Sequence, residues 1–349
     1  MNDHANRAAV LYAPGDVRIE DRPLPELGAH DLLVELRAVG VCGSDVHYYE
    51  HGRIGQYEVR AAVVLGHEPA GVVVEVAPKV TRHAVGDRVT LEPGIPCGRC
   101  RECRAGRYHL CPYVEFFATP PVDGAFARYV AIHEDFAFLL PPELSDEAGA
   151  LIEPLSVALW ACWKGRVSAG RTVLVTGAGP IGQLAAQTAS ALGATQVFVA
   201  EVDPARLAFA QHYGADVVDA REGPAGEQGV EADILLECSG NPEALFDGIA
   251  ALRPAGRAVC VGMGPSESTT LPLALIQARE IVLTGTFRYA NTYPAALELA
   301  ASGRVDLDGL VTGRYGLEDT EAALRAGSDE PASIKPLVLP HLDRVAASA

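Results

Sequence analysis

The sequence lacks an excess of positive charge: 28 lysines and arginines stand against 45 aspartates and glutamates, a formal net charge of -17. Binding to a nucleic acid duplex needs a dense basic surface that displaces counterions, so no nucleic acid partner is expected. Long apolar runs are also missing, because no stretch reaches about 18 uninterrupted apolar residues and residues 1–7 carry no apolar signal-peptide core. These absences predict a cytoplasmic protein with no membrane partner.

Cysteine is present but not in a pattern that suggests disulfides. Five of the eight cysteines lie in patterns that suit a metal better, as expected where thiols stay reduced. Cys162, Cys238 and Cys260 lie in apolar or strand-like surroundings, so we interpret them as small buried hydrophobic residues. Internal repeats and low-complexity segments are absent. The length of 349 residues predicts two domains.

The first part of the chain is β-rich. Residues 31–39 alternate apolar and polar side chains, and residues 72–76 and 84–89 continue this texture around a turn at residues 86–87. This pattern predicts antiparallel or barrel-like β-structure. The texture changes at Ser145, a candidate N-cap for a helix over residues 146–163.

The second part alternates strands and helices. A buried strand at 171–176, a glycine loop at 177–182 and an alanine-rich helix at 183–192 come first. Further short apolar strands follow at 197–200, 234–237, 258–261 and 281–284. This order predicts an α/β fold with a doubly wound parallel sheet. We expect the β-rich catalytic domain to cover residues 1–154 and to be completed by 289–349, around a nucleotide-binding domain at 155–288.

The glycine loop fits the pattern G-x-G-x-x-G through Gly177, Gly179 and Gly182. That pattern is weak alone, but here a strand precedes it, a helix follows it, and Glu201 ends the second strand about twenty residues later. Such a loop lets the backbone approach a pyrophosphate, while the carboxylate accepts hydrogen bonds from a ribose. A carboxylate also repels a 2′-phosphate, which favours NAD over NADP.

Four cysteines lie together in a short glycine- and arginine-rich loop: Cys97, Cys100, Cys103 and Cys111. Four sulfurs without histidine or carboxylate suit a closed tetrahedral zinc that stabilises a loop with little core of its own. An iron–sulfur cluster and disulfides are the alternatives, although the spacing is not the usual ferredoxin run.

A second candidate metal site combines Cys42 with His67 and Glu68. These are the side-chain types that zinc accepts, but a lone cysteine or histidine is more often structural. Glu153 strengthens the case because it stands inside the apolar run at residues 151–155, and a buried carboxylate normally has a partner. Residues alone leave open whether these four groups share one metal.

Several motifs together resemble the zinc-dependent medium-chain dehydrogenases, and within them the polyol branch of sorbitol and xylitol dehydrogenases. The motifs are residues 42–48, 52–55, 66–68, 152–157 and the dinucleotide loop, while stretches 116–121 and 285–292 favour the polyol branch. The resemblance runs from about Ala8 to Leu339. It implies a GroES-like catalytic domain, a Rossmann domain, and oxidation of a sugar alcohol's secondary hydroxyl to a ketose with hydride transfer to NAD.

The resemblance also implies two zinc ions per subunit. The four-cysteine loop would hold a structural zinc, and Cys42 with His67 a catalytic one. Polyol dehydrogenases use the glutamate matching Glu68 as the third ligand and reach the one matching Glu153 through water, whereas other branches draw the second carboxylate in. Both glutamates therefore stay candidate ligands.

Further roles come from position within the family motifs. Ser44 and His47 match a proton relay to solvent, although His47 could be an ordinary surface histidine, in which case Glu153 with a water would accept the proton. The expected substrate contacts are Tyr48, Glu153, Arg288 and Tyr289, where the last two could instead be an ordinary surface pair. The expected cofactor contacts are Gly177, Gly179, Pro180, Ile181, Gly182, Glu201, Arg206, Val261, Gly262, Met263, Thr286, Phe287 and Arg288.

Rival functions share much of this pattern. Threonine and butanediol dehydrogenases carry the same zinc and nucleotide motifs. A non-catalytic nucleotide-binding relative, such as the crystallin-like quinone reductases, would generally lack the zinc cysteines that this chain retains. A dimer or tetramer is expected, with an open sheet edge near residues 281–284 as a candidate contact between subunits.

Overall fold

The computed structural model describes residues 5–264, 268–330 and 332–342. The chain divides into two compact units, one formed by residues up to Glu153 and from Leu307 onward, the other by Pro154–Asp306. None of the helices within the described residues combines the length and the apolar character needed to span a membrane.

The first segment of the first unit is mostly strands. The strands are β1 (Asn6–Ala13), β2 (Asp16–Arg22), β3 (Asp31–Gly40), β4 (Arg53–Ile54), β5 (Tyr57–Glu58), β6 (Val63–Val64), β7 (Glu68–Val76), β8 (Arg88–Leu91), β9 (Gly94–Ile95), β10 (Glu115–Phe116), β11 (Tyr129–His133) and β12 (Ala137–Leu139). The helices are α1 (Gly43–His51), α2 (Arg101–Arg104) and α3 (Asp146–Ala150), and the short 3-10 helices are Tyr108–Leu110 and Glu134–Phe136.

The second unit alternates helices and strands. The helices are α4 (Ile152–Gly165), which begins at the unit boundary, α5 (Pro180–Ala191), α6 (Pro204–His212), α7 (Pro242–Ala250), α8 (Leu273–Ala278) and α9 (Tyr293–Ala301). The strands are β13 (Thr172–Thr176), β14 (Gln196–Glu201), β15 (Asp216–Asp219), β16 (Ala232–Glu237), β17 (Leu252–Cys260) and β18 (Val282–Gly285).

The chain then returns to the first unit. The return segment contains β19 (Val311–Gly316), α10 (Thr320–Asp329) and β20 (Lys335–Leu339), with 3-10 helices at Asp308–Leu310 and Leu317–Asp319. Its strands extend the large sheet of that unit, whose order is β12-β8-β7-β3-β20-β19, with β11 also pairing β3. A smaller sheet has the order β2-β1-β6. The predicted β-rich first domain is therefore confirmed.

The sheet of the second unit has the order β15-β14-β13-β16-β17-β18, and all its neighbouring strands are parallel. The central strand β13 is buried at every position, as expected for a parallel strand covered on both faces. The strand order reverses beside β13, which is where such folds bind dinucleotides. The predicted Rossmann-type sheet is confirmed.

Two details differ from the sequence-based expectation. The helix predicted over residues 146–163 is broken at Leu151 into α3 and α4, because Pro154 has no N–H to donate and is tolerated only in the first turn of a helix. The second unit also continues past residue 288, where the return was expected, to Asp306. There the backbone N–H of Asp306 donates to Gln187 of α5, and Asp306 accepts a bond from Tyr213.

Candidate metal and cofactor sites

The first unit brings Cys42, His67 and Glu68 together. Cys42 is the N-cap of α1, while His67 and Glu68 lie where β7 begins. One ligand atom from each lies within 4.8 Å of the others, and His67 and Glu68 are buried. A thiol, an imidazole and a carboxylate converging in a buried place form a donor set that suits zinc.

Asp45 holds these ligands in position. It is fully buried, and its carboxylate accepts hydrogen bonds from the backbone N–H of Cys42 at 3.0 Å and of Gly66 at 2.9 Å. One of its oxygens also lies 3.4 Å from Nδ1 of His67. A carboxylate behind a histidine fixes the ring's orientation and tautomer and makes the other ring nitrogen a better ligand.

The same contacts decide the pKa of His67. Burial alone would lower that pKa, but the charges of Asp45 and Cys42 raise it well above its ordinary value. The site is therefore strongly attractive to positive charge. A cation that replaces the proton on the imidazole would meet the same field.

Glu68 has a cationic neighbour within the protein. It is 1% exposed, and Oε2 of its carboxylate forms an ion pair with Nζ of Lys335, which is 2% exposed. Burial would lower the pKa of Lys335, but the charges of Glu68 and Cys42 raise it, so the ammonium remains charged. A Cβ added to Gly40 would lie 1.8 Å from the same carboxylate oxygen. Gly40 thus leaves the space that the Glu68 carboxylate fills.

Glu153 is buried near the start of α4, but it is not among the three side chains that converge within 4.8 Å in the described part of the chain. The pKa of the neighbouring Glu92 is raised to about 7, mainly because Glu92 is buried and to a smaller extent because of the charge of Glu153. Tyr108 donates a 2.7 Å hydrogen bond to Glu92 from the four-cysteine loop. Direct binding of a metal by Glu153 stays a prediction.

The four-cysteine loop has the geometry of a closed metal site. The sulfurs of Cys97, Cys100, Cys103 and Cys111 lie within 4.8 Å of one another. They are free thiols, and the sulfurs of Cys100 and Cys103 lie 3.4 Å apart, far beyond a disulfide bond. Backbone N–H groups lower the pKa of Cys97 to about 6, whereas burial raises that of Cys103 to about 12. Four sulfurs in this arrangement fit a structural zinc.

The glycine loop of the second unit has the close contacts that a dinucleotide site requires. Gly177 has a φ of +84°, and a Cβ there would lie 2.8 Å from the backbone of Ser239. A Cβ on Gly182 would lie 1.8 Å from the carbonyl oxygen of Gly177, so only glycine lets α5 pack against the loop. A Cβ on Gly179 would meet nothing within 4 Å. The loop therefore presents backbone to open space at the N-terminus of α5, where a phosphate is favoured.

Glu201 lies at the carboxyl end of β14, as predicted. Its carboxylate accepts hydrogen bonds from the N–H groups of Ala178 and Val202, both at 2.7 Å, and of Asp203 at 3.1 Å. A negative charge is thus fixed beside the glycine loop. Arg206 follows on α6, where its carbonyl accepts a bond from Gln183 of α5.

Glu237 arranges the next loops at the same sheet edge. Its carboxylate accepts bonds from the N–H groups of Ser239 and Gly240, at 2.8 and 2.9 Å, and from the Ser239 hydroxyl. Its backbone carbonyl accepts from the N–H groups of Val261 and Gly262. Two of the residues expected to line the cofactor are therefore hydrogen-bonded to Glu237. Burial raises the pKa of the Glu237 carboxyl, although the hydrogen bonds to its carboxylate act in the opposite direction.

The remaining predicted residues fall into two groups. Ser44, His47 and Tyr48 lie on α1, directly after Cys42, with Tyr48 buried and the others half-buried. Met263, Thr286, Phe287, Arg288 and Tyr289 belong to the second unit, at the loops after β17 and β18. Arg288 has a φ of +52°, its guanidinium lies 4.8 Å from the centroid of the Phe287 ring, and Tyr289 is buried. Their roles toward a substrate or cofactor stay predictions.

Sequence reasoning missed Gly40, Asp45, Lys335 and Glu237. Asp45 carried a signal, since a carboxylate three residues after an N-cap commonly reaches back to the N-cap N–H. Gly40 and Lys335 carried none, because their importance depends on the pairing of β3 with β7 and β20.

We expect Gly40→Ala to remove the metal held by Cys42, His67 and Glu68, because its methyl group would occupy the position of the Glu68 carboxylate. Elemental analysis should show a loss of one of two zinc ions per chain, with the four-cysteine zinc retained. Gly327→Ala is the control, since a Cβ there meets nothing within 4 Å. Full zinc content in Gly40→Ala would contradict the assignment.

Comparisons with known proteins agree with this geometry. Residues 28–142 match the alcohol dehydrogenase GroES-like domain, and residues 180–302 match the zinc-binding dehydrogenase domain. Sorbitol dehydrogenase of Bacillus subtilis is 43% identical over 96% of this chain and 97% of its own. A probable D-xylulose reductase A of Aspergillus fumigatus is 43% identical, over 92% and 93% of the two chains.

A solved structure gives the same result for the fold. An Escherichia coli oxidoreductase/dehydrogenase of unknown specificity superposes with a TM-score of 0.91 at 33% identity, covering 96% of this chain and 99% of that one. The resemblance that the motifs predicted is confirmed. The chain belongs to the zinc-dependent medium-chain dehydrogenase family, where it is similar to the polyol dehydrogenases.

Proposed function

We propose that this protein oxidises a secondary hydroxyl of a sugar alcohol to a ketose, with zinc at Cys42, His67 and Glu68 and with hydride transfer to NAD. The observation that carries the proposal is the convergence of those three ligand atoms within 4.8 Å. The group contains three side chains, one fewer than the closed four-cysteine site. Three protein ligands leave a position for a substrate, which is the pattern of catalytic zinc.

Zinc held there supplies Lewis-acid chemistry, which lowers the pKa of a bound hydroxyl. The protein's own groups set the conditions for that chemistry. Asp45 orients the His67 ring, and the buried Glu68 carboxylate would offset the charge of a metal bound there. Burial of these side chains also strengthens each of these interactions, because the local dielectric constant is lower than that of water.

We infer that NAD rather than NADP is the cofactor. The open space at Gly179 suits a pyrophosphate, and Gly177 and Gly182 supply the close approaches around it. Three backbone N–H groups hold the Glu201 carboxylate beside the loop, so its negative charge would repel the 2′-phosphate of NADP. Val261, Gly262, Met263 and residues 286–288 are proposed to line the nicotinamide side.

We assign the proton relay to Ser44 and His47. We assign binding of the polyol's other hydroxyls to Tyr48, Glu153, Arg288 and Tyr289. Supporting the relay, α1 carries both side chains within two turns of Cys42, and both are half-buried rather than enclosed. A polyol must be held by its other hydroxyls, which requires several donors and acceptors. Glu153 with a water is the rival proton acceptor.

A substrate panel tests the reaction. We expect NADH formation from sorbitol or xylitol, little activity with NADP, and less with threonine or 2,3-butanediol, because the proposed pocket recognises several hydroxyls. The measurement is nicotinamide absorbance.

Cys42→Ala should abolish polyol oxidation and remove one zinc. The control Cys162→Ala changes a buried thiol in the second unit, and it should retain both the activity and the zinc.

Each rival has its own outcome in that panel. Higher activity on butanediol or threonine than on any polyol would favour those dehydrogenases. Two bound zinc ions without activity on any polyol would favour a non-catalytic relative.

We also infer that two copies associate through β18. This strand is at the edge of its sheet, pairing only with β17 among the described strands, and Val282 and Leu283 on it are exposed. An exposed apolar edge strand is a ready site for pairing with another chain.

We expect Leu283→Lys to lower the molecular mass measured by sedimentation. The control Val85→Lys, at an exposed valine of the first unit, should leave that mass unchanged. An unchanged mass in Leu283→Lys would contradict this pairing.

A further inference from the structure

Lys335 is a lysine in the core of the first unit, at 2% exposure. A buried ammonium needs partners, since removing it from water without them is costly. Nζ of Lys335 donates a 2.8 Å hydrogen bond to the carbonyl oxygen of Val41 and forms the ion pair with Glu68. Val41 directly precedes Cys42, so this one ammonium contacts one proposed metal ligand, Glu68, and the residue before another, Cys42.

The backbone, rather than a metal, fixes Lys335 there. It is the first residue of β20, which pairs with the end of β3 through Leu337 opposite Gly40. The N–H of Val41 donates to the carbonyl of Pro336 at 3.1 Å. Strand pairing therefore fixes the backbone from which the Lys335 side chain reaches Glu68.

We propose that Lys335 is a positioning residue that shares the Glu68 carboxylate with the metal and thereby lowers the affinity of the catalytic site for zinc. This inference rests on the proposed metal ligands, and it adds a residue that makes the third ligand exchangeable. The site then contains two cations, the metal and Lys335, on one carboxylate. Glu68, Cys42 and Glu153 all act on Lys335 in the direction that favours its charged form and raises its pKa.

Two effects of removing Lys335 oppose each other. Without the ammonium, a metal no longer competes for Glu68 and no longer meets a neighbouring positive charge, so binding should tighten. Glu68 would also lose one contact that orients it, which should weaken binding. The first effect is larger, because Gly40 leaves a fitted space for the carboxylate and the backbone of β7 still holds it. The coupling between the two cations is reciprocal. If a bound metal weakens the ion pair between Lys335 and Glu68, that ion pair weakens metal binding by the same factor.

The test is Lys335→Met, which replaces the ammonium by an unbranched, uncharged side chain that is one heavy atom shorter. Zinc release to a chromophoric chelator is followed on the intact protein, and the four-cysteine zinc is the internal reference. We expect the catalytic zinc to be bound about tenfold more tightly, within the usual range for such coupling, with the reference unchanged. Lys335→Arg keeps the charge and should behave like the original protein.

A second background shows whether the effect passes through Glu68. In Glu68→Gln, the charge that Lys335 and the metal share is gone, so adding Lys335→Met should change zinc release far less. If Lys335→Met does not fold, as judged by loss of the four-cysteine zinc, Lys335→Gln replaces it because its amide can still donate to Val41.

The proposal is overturned if the neutral variants release the catalytic zinc faster, if they release it at the original rate, or if Lys335→Arg behaves like Lys335→Met. It is also overturned if the effect is equally large in the Glu68→Gln background. A protein that holds no zinc beyond the four-cysteine site would instead refute the proposed function, and the original chain alone reveals that.

Discussion

A carboxylate at 1% exposure must have positive charge beside it, and the position of Glu68 is the constraint on which the first unit depends. Breaking a buried ion pair by removing one partner typically costs about 3–5 kcal/mol, so the surroundings of such a group are not free to vary. Lys335 supplies one cation, and the donor set of Cys42, His67 and Glu68 suits a second. Gly40 supplies the space.

The surroundings of Glu68 also depend on the discontinuous course of the first unit. The end of β3, the start of β7 and the start of β20 come from three separate parts of the chain, and strand pairing brings them to one place. Lys335 lies 294 residues from Val41, whose carbonyl it contacts. The return segment therefore completes the surroundings of the metal ligands, in addition to extending the sheet.

Much of this architecture could be predicted from local sequence. The strand, glycine loop and helix around residues 171–192 are signalled within one continuous stretch, and so are the four cysteines. Cys42, His67 and Glu68 were found because zinc accepts few side-chain types. The family motifs then identified the branch.

The surroundings of the metal ligands could not be predicted in the same way. A lysine is usually exposed, and the burial of Lys335 at the start of β20 depends on the pairing of that strand with β3. Gly40 has no turn to explain it, since its role is the space it leaves for a carboxylate from a neighbouring strand. The break in the helix at Leu151 is explained by Pro154. It was not predicted, because the residues around Pro154 have the pattern of one continuous helix.

The central claim is that Cys42, His67 and Glu68 bind a zinc ion while Lys335 remains on the Glu68 carboxylate. Crystals of the zinc-loaded protein, measured at the zinc absorption edge, test it most directly. The expected result is two anomalous peaks per chain, one among the four cysteine sulfurs and one bound by Cys42, His67 and Glu68, with Nζ of Lys335 still in contact with Glu68. A second peak bound by Glu153 in place of Glu68, or no second peak, would contradict the claim.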